Sequence, residues 1–182
     1  MPSFRKKRII KTEIGVCDYS LVCSKIETSI IKNSSLLIFP LATHTLIKAY
    51  YDKKLQNILN AYDILTPDSQ WIKWSLNWLY GIRLKERVYG PDLMLKVLGL
   101  ANKNGYPIFL YGTNTKTLKL LINKIQKKYP KLNIAGSSPA PYGDIDIKEQ
   151  KKIVNEINKS TAKIVFIALS SPKQVILAKQ IA

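Results

Sequence analysis

Apolar positions along this chain fall into short continuous runs separated by longer stretches with helical spacing. Leu36-Leu37-Ile38-Phe39, Pro107–Tyr111, Leu132–Ala135 and Lys163–Leu169 are runs of the first kind. They read as strands buried on both faces, because a half-exposed strand would alternate apolar and polar side chains. Ile9–Val16 alternates loosely and predicts a first strand, and Ile64-Leu65 is a short apolar step. Between them, Tyr19–Lys32, His44–Tyr62, Gln70–Tyr80, Asp92–Asn104, Thr115–Tyr129, Ile145–Asn158 and Pro172–Ala182 carry apolar residues three and four apart and predict helices. Strands alternating with helices imply an α/β fold: a mostly parallel sheet with helices on both faces.

Local punctuation supports several of these boundaries. Pro40 is expected to end the strand at Phe39, since proline lacks the N–H a ladder needs. Gly90-Pro91-Asp92 places proline in a first helical turn and an acid near the positive helix end. Asn104-Gly105 supplies a left-handed stop. Trp71, Trp74 and Trp78 share one helix face, and core is the simplest expectation for it; a carbohydrate or lipid platform is the alternative. No repeat, low-complexity segment or linker divides the chain, so residues 1–182 are expected to form one domain.

Composition narrows the class. An apolar fraction of 46% with 23% charged residues suits a folded globular protein rather than a disordered or fibrous one. The longest apolar runs fall well short of the roughly 20 residues a spanning helix requires, and no apolar segment of signal-peptide type follows the basic N-terminus. Cys17 and Cys23 lack metal-type spacing and read as small apolar fillers in a reducing cytoplasm.

Charge is the departure from the ordinary. The chain has 29 Lys and Arg against 12 Asp and Glu, a net of +17. The excess sits at the two ends: residues 1–60 net +6, residues 61–100 only +1, and residues 101–182 +10. Such a balance favours anionic partners, whether nucleic acid, lipid head groups or phosphorylated substrates; lysines scattered on solvated helix faces are the plainer explanation. No motif that reads RNA or DNA accompanies the charge, which argues against a nucleic-acid partner.

Candidate chemistry lies in the segments that follow strands, because open parallel sheets bind ligands at the carboxyl ends of their strands. These are Pro40–His44, Thr66–Ser69, Gly112–Thr115 and Ser170–Gln174. Helix N-termini there offer unpaired N–H groups suited to a diphosphate. Neither a dinucleotide fingerprint nor a phosphate-loop Gly-Lys-Ser/Thr occurs, and one histidine without clustered cysteines or carboxylates argues against a zinc site. His44 reads first as a helix-start residue and second as a catalyst. Asp68 divides evenly between a helix N-cap and a general base at the crevice mouth.

Several segments together resemble the WecG/TagA/CpsF glycosyltransferases. Ala61–Asp68, Glu86–Leu93, Ile108–Gly112, Tyr129-Pro130-Lys131-Leu132, Gly136, Pro141-Tyr142 and Ala168–Gln174 follow that family's pattern in order and spacing. The resemblance implies a Rossmann-like fold. It also implies transfer of N-acetylmannosamine, or a related sugar, from a UDP-sugar to a polyprenyl-diphosphate-linked sugar acceptor at the cytoplasmic membrane face, in cell-envelope polysaccharide synthesis. The implied mechanism is inverting and metal-independent, with no cofactor. Asp68 matches the family's base. His44, Arg87, Gly90, Asp92, Gly112, Gly136, Tyr142, Lys173 and Gln174 are the matching or neighbouring substrate-binding candidates. An anionic membrane surface and another copy of the chain are further expected partners.

The sequence departs from the family pattern at Pro40, in place of a threonine, at Ser69, in place of a glycine, and at Val175, in place of a glutamate. It also stops inside an expected helix, short of the family's Arg-rich tail. A catalytically inactive remnant or partner subunit is therefore the second expectation, and a basic nucleic-acid-binding protein the third.

Overall fold

The computed structural model describes residues 5–143 and 145–181. Its order is β1 (Lys6–Ile9), β2 (Thr12–Gly15), α1 (Tyr19–Ile31), β3 (Ile38–Leu41), α2 (Thr43–Tyr51), α3 (Lys53–Asn60), β4 (Ile64–Pro67), α4 (Gln70–Tyr80), α5 (Gly90–Asn104), β5 (Ile108–Gly112), α6 (Thr115–Lys128), β6 (Ile134–Ser138), α7 (Ile147–Lys159), β7 (Ile164–Ala168) and α8 (Lys173–Ile181). This is the α/β, Rossmann-like arrangement expected, with parallel pairing in both β3-β4 and β6-β5-β7. The chain forms two compact units, one reaching to Lys96 and the other running from Val97 to Leu177; residues 178–180 group with the first and Ile181 with the second. Residue 182, the last of the expected C-terminal helix, lies outside the described residues.

In the first unit, the single strand expected over Ile9–Val16 is an antiparallel hairpin. Lys6 pairs with Gly15 and Ile9 with Thr12. The turn holds Ile10 and Lys11 at φ 44° and 61°. Positive φ at both central residues matches the strand twist, a geometry normally filled by Asn-Gly. Neither residue signals it, which is why the pattern reads as one strand. Asp18 caps α1 by accepting from the Leu21 amide at 2.8 Å.

Two further expectations shift for local reasons. β3 continues through Pro40 to Leu41 instead of ending at Phe39. It pairs with β4 alone, so the proline can turn its missing donor away from the ladder, as edge positions allow. The long helix expected over His44–Tyr62 is broken at Asp52. That residue ends α2 and caps α3, accepting from the Leu55 amide at 3.0 Å. Aspartate competes well for that role because its short carboxylate reaches the free amides of a new first turn.

α4 matches its expected span, but the expected burial is reversed. Trp71, Trp74 and Trp78 are exposed, while Ile72 and Leu76 on the other side of the helix enter the core. Ile14, Val22, Leu41, Leu59, Ile64 and Leu65 fill that core with them. Small aliphatics satisfied the available volume, leaving the indoles outside.

The second unit is built around β5, whose five residues are all buried. β6 lies on one side and β7 on the other. Two crossovers running in opposite directions with the same hand place α6 and α7 on opposite faces. Accordingly Phe109 and Tyr111 pack with Ile153 and Ile157 of α7 and with Leu177. Ile108 and Leu110 point to the other face, since side chains alternate along a strand. β6 begins two residues later than expected, at Ile134, because pairing with β5 sets its register: Gly136 lies opposite Phe109. A Cβ on Gly136 would meet the Phe109 ring at 2.5 Å. Gly136→Ala should therefore destabilise the protein by about 1–3 kcal/mol through overpacking. Urea melts of the singles and of Phe109→Leu/Gly136→Ala should show the double variant more stable than additivity predicts, because the smaller side chain restores the room.

Cys17, buried in the first unit, has its thiol pKa pushed up from 9.0 to about 12, by desolvation first and by the neighbouring Asp18 carboxylate second. The folded thiol keeps its proton where the unfolded one loses it, so the unfolded state binds fewer protons in alkali. The stability this contributes is complete below pH 9.0 and is lost as pH rises toward about 12. Cys17→Ala should flatten that alkaline loss in thermal melts, and native Cys17 should resist thiol reagents until the protein unfolds.

Candidate functional site

Segments far apart in sequence meet in the first unit. Thr66 and Pro67 end β4, and the chain returns alongside them at Val88: the Val88 amide donates to the Pro67 carbonyl at 3.0 Å, and Thr66 Oγ1 donates to the Val88 carbonyl at 3.3 Å. This doubled tie carries Gly90, the first residue of α5, to Asp68. The Gly90 amide donates to Asp68 Oδ1 at 2.7 Å. A short, charge-assisted bond of this kind is among the stronger ones available to a carboxylate.

That contact sets aside one of the two readings of Asp68, the cap of α4. Ser69, not Asp68, caps α4, its hydroxyl accepting from the Ile72 amide at 3.3 Å. Asp68 turns instead to the start of α5. There one oxygen is held by a backbone donor at a positive helix end. Pro40 completes the surroundings: a Cβ on Gly90 would lie 3.4 Å from Pro40 Cβ and 3.6 Å from Asp68 Oδ1. Thr43 in α2 hydrogen-bonds Ser69, Oγ to Oγ, at 2.5 Å, joining the loop after β3 to the loop after β4.

The other candidates of this unit take separate positions. His44 sits exposed in the first turn of α2, as its helix-start reading implies, and its ring nitrogen meets Thr45 Oγ1 at 3.3 Å. Arg87 stacks its guanidinium over the Tyr89 ring at 4.4 Å. Such stacking sets the direction of the cation while leaving its N–H fork available. Asp92, in the first turn of α5, accepts from Tyr19 at a long 3.5 Å; the Tyr19 oxygen in turn accepts from the Tyr89 amide at 3.0 Å. Asp92 therefore braces α1 against the motif loop.

In the second unit, the strand order β6-β5-β7 puts a topological switch point at the carboxyl ends of β5 and β7. Gly112 lies there at φ 119°, and a Cβ on it would stand 2.7 Å from the Ala168 carbonyl carbon. Only glycine fits that approach. The Thr113 amide then donates to Ala168 O, and the Ala140 amide to Thr113 O, both at 3.1 Å, gathering three post-strand loops. Lys173 donates to Gly143 O at 2.8 Å. Gln174, with its amide turned to satisfy its neighbours, donates to Leu169 O at 2.9 Å and Ile167 O at 3.2 Å. Gly136 is committed to packing on Phe109, and Tyr142 projects into solvent.

A cavity of about 370 Å³ opens beside these loops, lined by Asn114, Thr115, Pro139, Ala140, Pro141, Glu149 and Lys152. It sits at the start of α6, where Asn114 caps the helix through the Thr117 amide at 2.9 Å. Glu149 and Lys152, one turn apart on α7, pair along its wall at 3.5 Å. Sequence reasoning missed Pro139, Ala140, Glu149 and Lys152. The signal present was the Asp146 cap, which starts α7 at Ile147 and so puts Glu149 in its first turn. Among the described residues, no group of three or more His, Cys, Asp or Glu could hold a metal ion.

Comparison with known proteins agrees with the motifs. The family model for the glycosyl transferase WecG/TagA/CpsF family matches residues 7–182. The N-acetylglucosaminyldiphosphoundecaprenol N-acetyl-beta-D-mannosaminyltransferase of Bacillus subtilis (strain 168) is 30% identical over 126 residues, covering 69% of this chain and 47% of its own. The protein of the same name from Bacillus spizizenii (strain ATCC 23059 / NRRL B-14472 / W23) is 28% identical over 127 residues, covering 70% and 47%. The chain thus spans about half the length of the curated relatives it matches. With the fold, the convergent motif loops and a family match running almost end to end, this chain belongs to the WecG/TagA/CpsF glycosyltransferase family.

Proposed function

We propose that this chain is the sugar-transferring core of an enzyme that moves N-acetylmannosamine, or a related sugar, from a UDP-sugar to a polyprenyl-diphosphate-linked sugar acceptor for cell-envelope polysaccharide. The observation that carries the reading is the Asp68–Gly90 bond. It holds one carboxylate oxygen still and leaves the other to accept a proton. A sugar hydroxyl is a weak nucleophile, and a carboxylate within hydrogen-bond reach removes its proton as the new bond forms. The acceptor oxygen then bonds the anomeric carbon while the carbon–oxygen bond to the β-phosphate breaks, and UDP leaves with the electron pair. Inversion at the anomeric carbon follows from attack opposite the leaving group.

The departing diphosphate needs cations and N–H donors. Arg87, oriented by Tyr89, is the cation of the first unit suited to this role. In the second unit, the start of α6 and the cavity beside it have the volume and polarity of a small-ligand site. Lys152 would exchange Glu149 for phosphate there. Lys173 is a further cation, and Gln174 steadies the strand end behind it. A work site at the inner face of the cell membrane accords with the lipid-linked acceptor, with an anionic membrane surface and a second copy of the chain as further partners.

A second reading, a non-catalytic remnant or partner subunit, is favoured by Pro40. Its ring offers no hydrogen bond beside Asp68 and Gly90, where the family pattern has a threonine.

Calorimetry should detect UDP binding, and absence of heat at millimolar UDP would overturn the active-enzyme reading. Asp68→Asn keeps an oxygen for the Gly90 amide, so fold and UDP affinity should persist. Product formation with UDP-N-acetylmannosamine and the lipid-linked acceptor should fall by about a hundredfold to ten-thousandfold. Turnover by the unaltered chain would dismiss the remnant reading.

A further inference from the structure

α4 presents an aromatic face that its own unit does not cover. Trp71, Trp74 and Trp78 are 67%, 49% and 87% exposed, and Leu79 beside them is 56% exposed. At roughly 100° per residue, the three indoles fall within one narrow stripe, turned well away from the buried Ile72 and Leu76. Trp71 and Trp74 stand edge to face with centroids 5.2 Å apart, so part of the stripe is held in one conformation. Indoles exposed to this extent bear an energetic cost in water that scattered surface aliphatics do not.

Between Asp68 and Glu86, the charge on α4 and the loop after it has one sign. From Ser69 to Lys85 there is no carboxylate, while Lys73, Arg83 and Lys85 are all present. Lys73 Nζ reaches the Lys85 carbonyl at 3.4 Å, tying the basic loop back to the helix. At the helix's far end, Tyr80 donates to the Arg8 carbonyl and lies under Lys7 at 5.0 Å, which fastens the side of α4 opposite the indoles to β1.

We propose that α4 is a monotopic lipid contact. It lies along an anionic phospholipid surface with Trp71, Trp74 and Trp78 at the level of the head groups and Arg83 and Lys85 against lipid phosphates. Tryptophan favours that boundary because its ring is apolar while its N–H still seeks a polar partner. Bases beside an apolar stripe add attraction to anionic lipid. A symmetric pairing of two copies through this face would set the same bases against each other, which opposes that occupant. The surface stands on the aromatic stripe and the bases of the loop after it; its purpose rests on the lipid-linked acceptor proposed above. α4 starts two residues after Asp68 and is roughly 16 Å long, so a helix lying on the lipid keeps the candidate base within reach of an acceptor anchored there.

All three tryptophans of the chain lie on α4, so emission excited where only indole absorbs, clear of the ten tyrosines, reports this face. With vesicles containing phosphatidylglycerol, emission should shift to shorter wavelength and be quenched by lipids brominated in their acyl chains. Phosphatidylcholine vesicles should give weaker partitioning. Trp78→Ala should weaken partitioning by about tenfold, equivalent to ~1.4 kcal/mol. Arg83→Gln/Lys85→Gln, which leaves the stripe intact, should remove most of the preference for anionic lipid. Vesicle binding without quenching would overturn the proposal. So would unchanged binding by Trp71→Ser/Trp74→Ser/Trp78→Ser with a native circular dichroism spectrum. A blue shift that needs only raised protein concentration, with a doubled mass in sedimentation, would assign the face to a second copy instead. Lipid binding is read without nucleotide, so failure to bind UDP would sink the transferase reading and leave this one standing.

Discussion

The hydrogen bond from the Gly90 amide to Asp68 is the constraint on which the first unit's candidate site depends. It joins the end of β4 to the start of α5 across a chain segment that includes all of α4. Both partners benefit. The helix gains an acceptor for one of its free N-terminal amides, and the carboxylate gains a fixed direction. Val88 and Thr66 reinforce the junction through backbone and hydroxyl bonds, so the geometry does not rest on a single contact. Pro40 closes the remaining side. A loop that would otherwise be free is thereby held to a rigid strand end, the condition a general base needs in order to act at a defined distance.

The second unit solves a related problem with backbone instead of a carboxylate. Gly112 lets β5 turn against Ala168, and the Thr113 and Ala140 amides draw the neighbouring loops together. The result is a concavity at a helix start, bordered by one ion pair. Gly136 had the same apparent promise in sequence, yet its missing side chain makes room for Phe109 inside the sheet. Two glycines in equivalent post-strand or strand contexts thus serve different ends, one shaping a site and one a core.

Charge takes on sharper meaning in this setting. A net of +17 by itself suits any polyanion. In the structure, part of it lies in the loop that follows an uncovered tryptophan stripe, and another part lies at helix starts and post-strand loops. A lipid diphosphate acceptor and an anionic bilayer present the same chemistry to one side of an enzyme. Basic and aromatic side chains are the pair suited to that boundary.

Alternation of apolar runs with helical spacing was enough to establish the α/β class, the parallel sheets and nearly every element of the second unit. Those features depend on local periodicity, which the chain carries in itself. Motif order was equally legible and led to the family. Other properties required the tertiary structure. Ile10-Lys11 forms a hairpin turn without turn residues, because strand pairing on both sides compels it. Pro40 stays within β3 because that strand pairs on one side only. Whether Ser69 or Asp68 caps α4 is a choice between two adjacent cap-forming residues, and only packing against α5 decides it. The tryptophan stripe is the clearest case. Its period determined a helix and a shared face, but a period does not state which side of the helix faces the core. Ile72 and Leu76 filled the interior volume, and that competition, invisible along the chain, left the indoles at the surface.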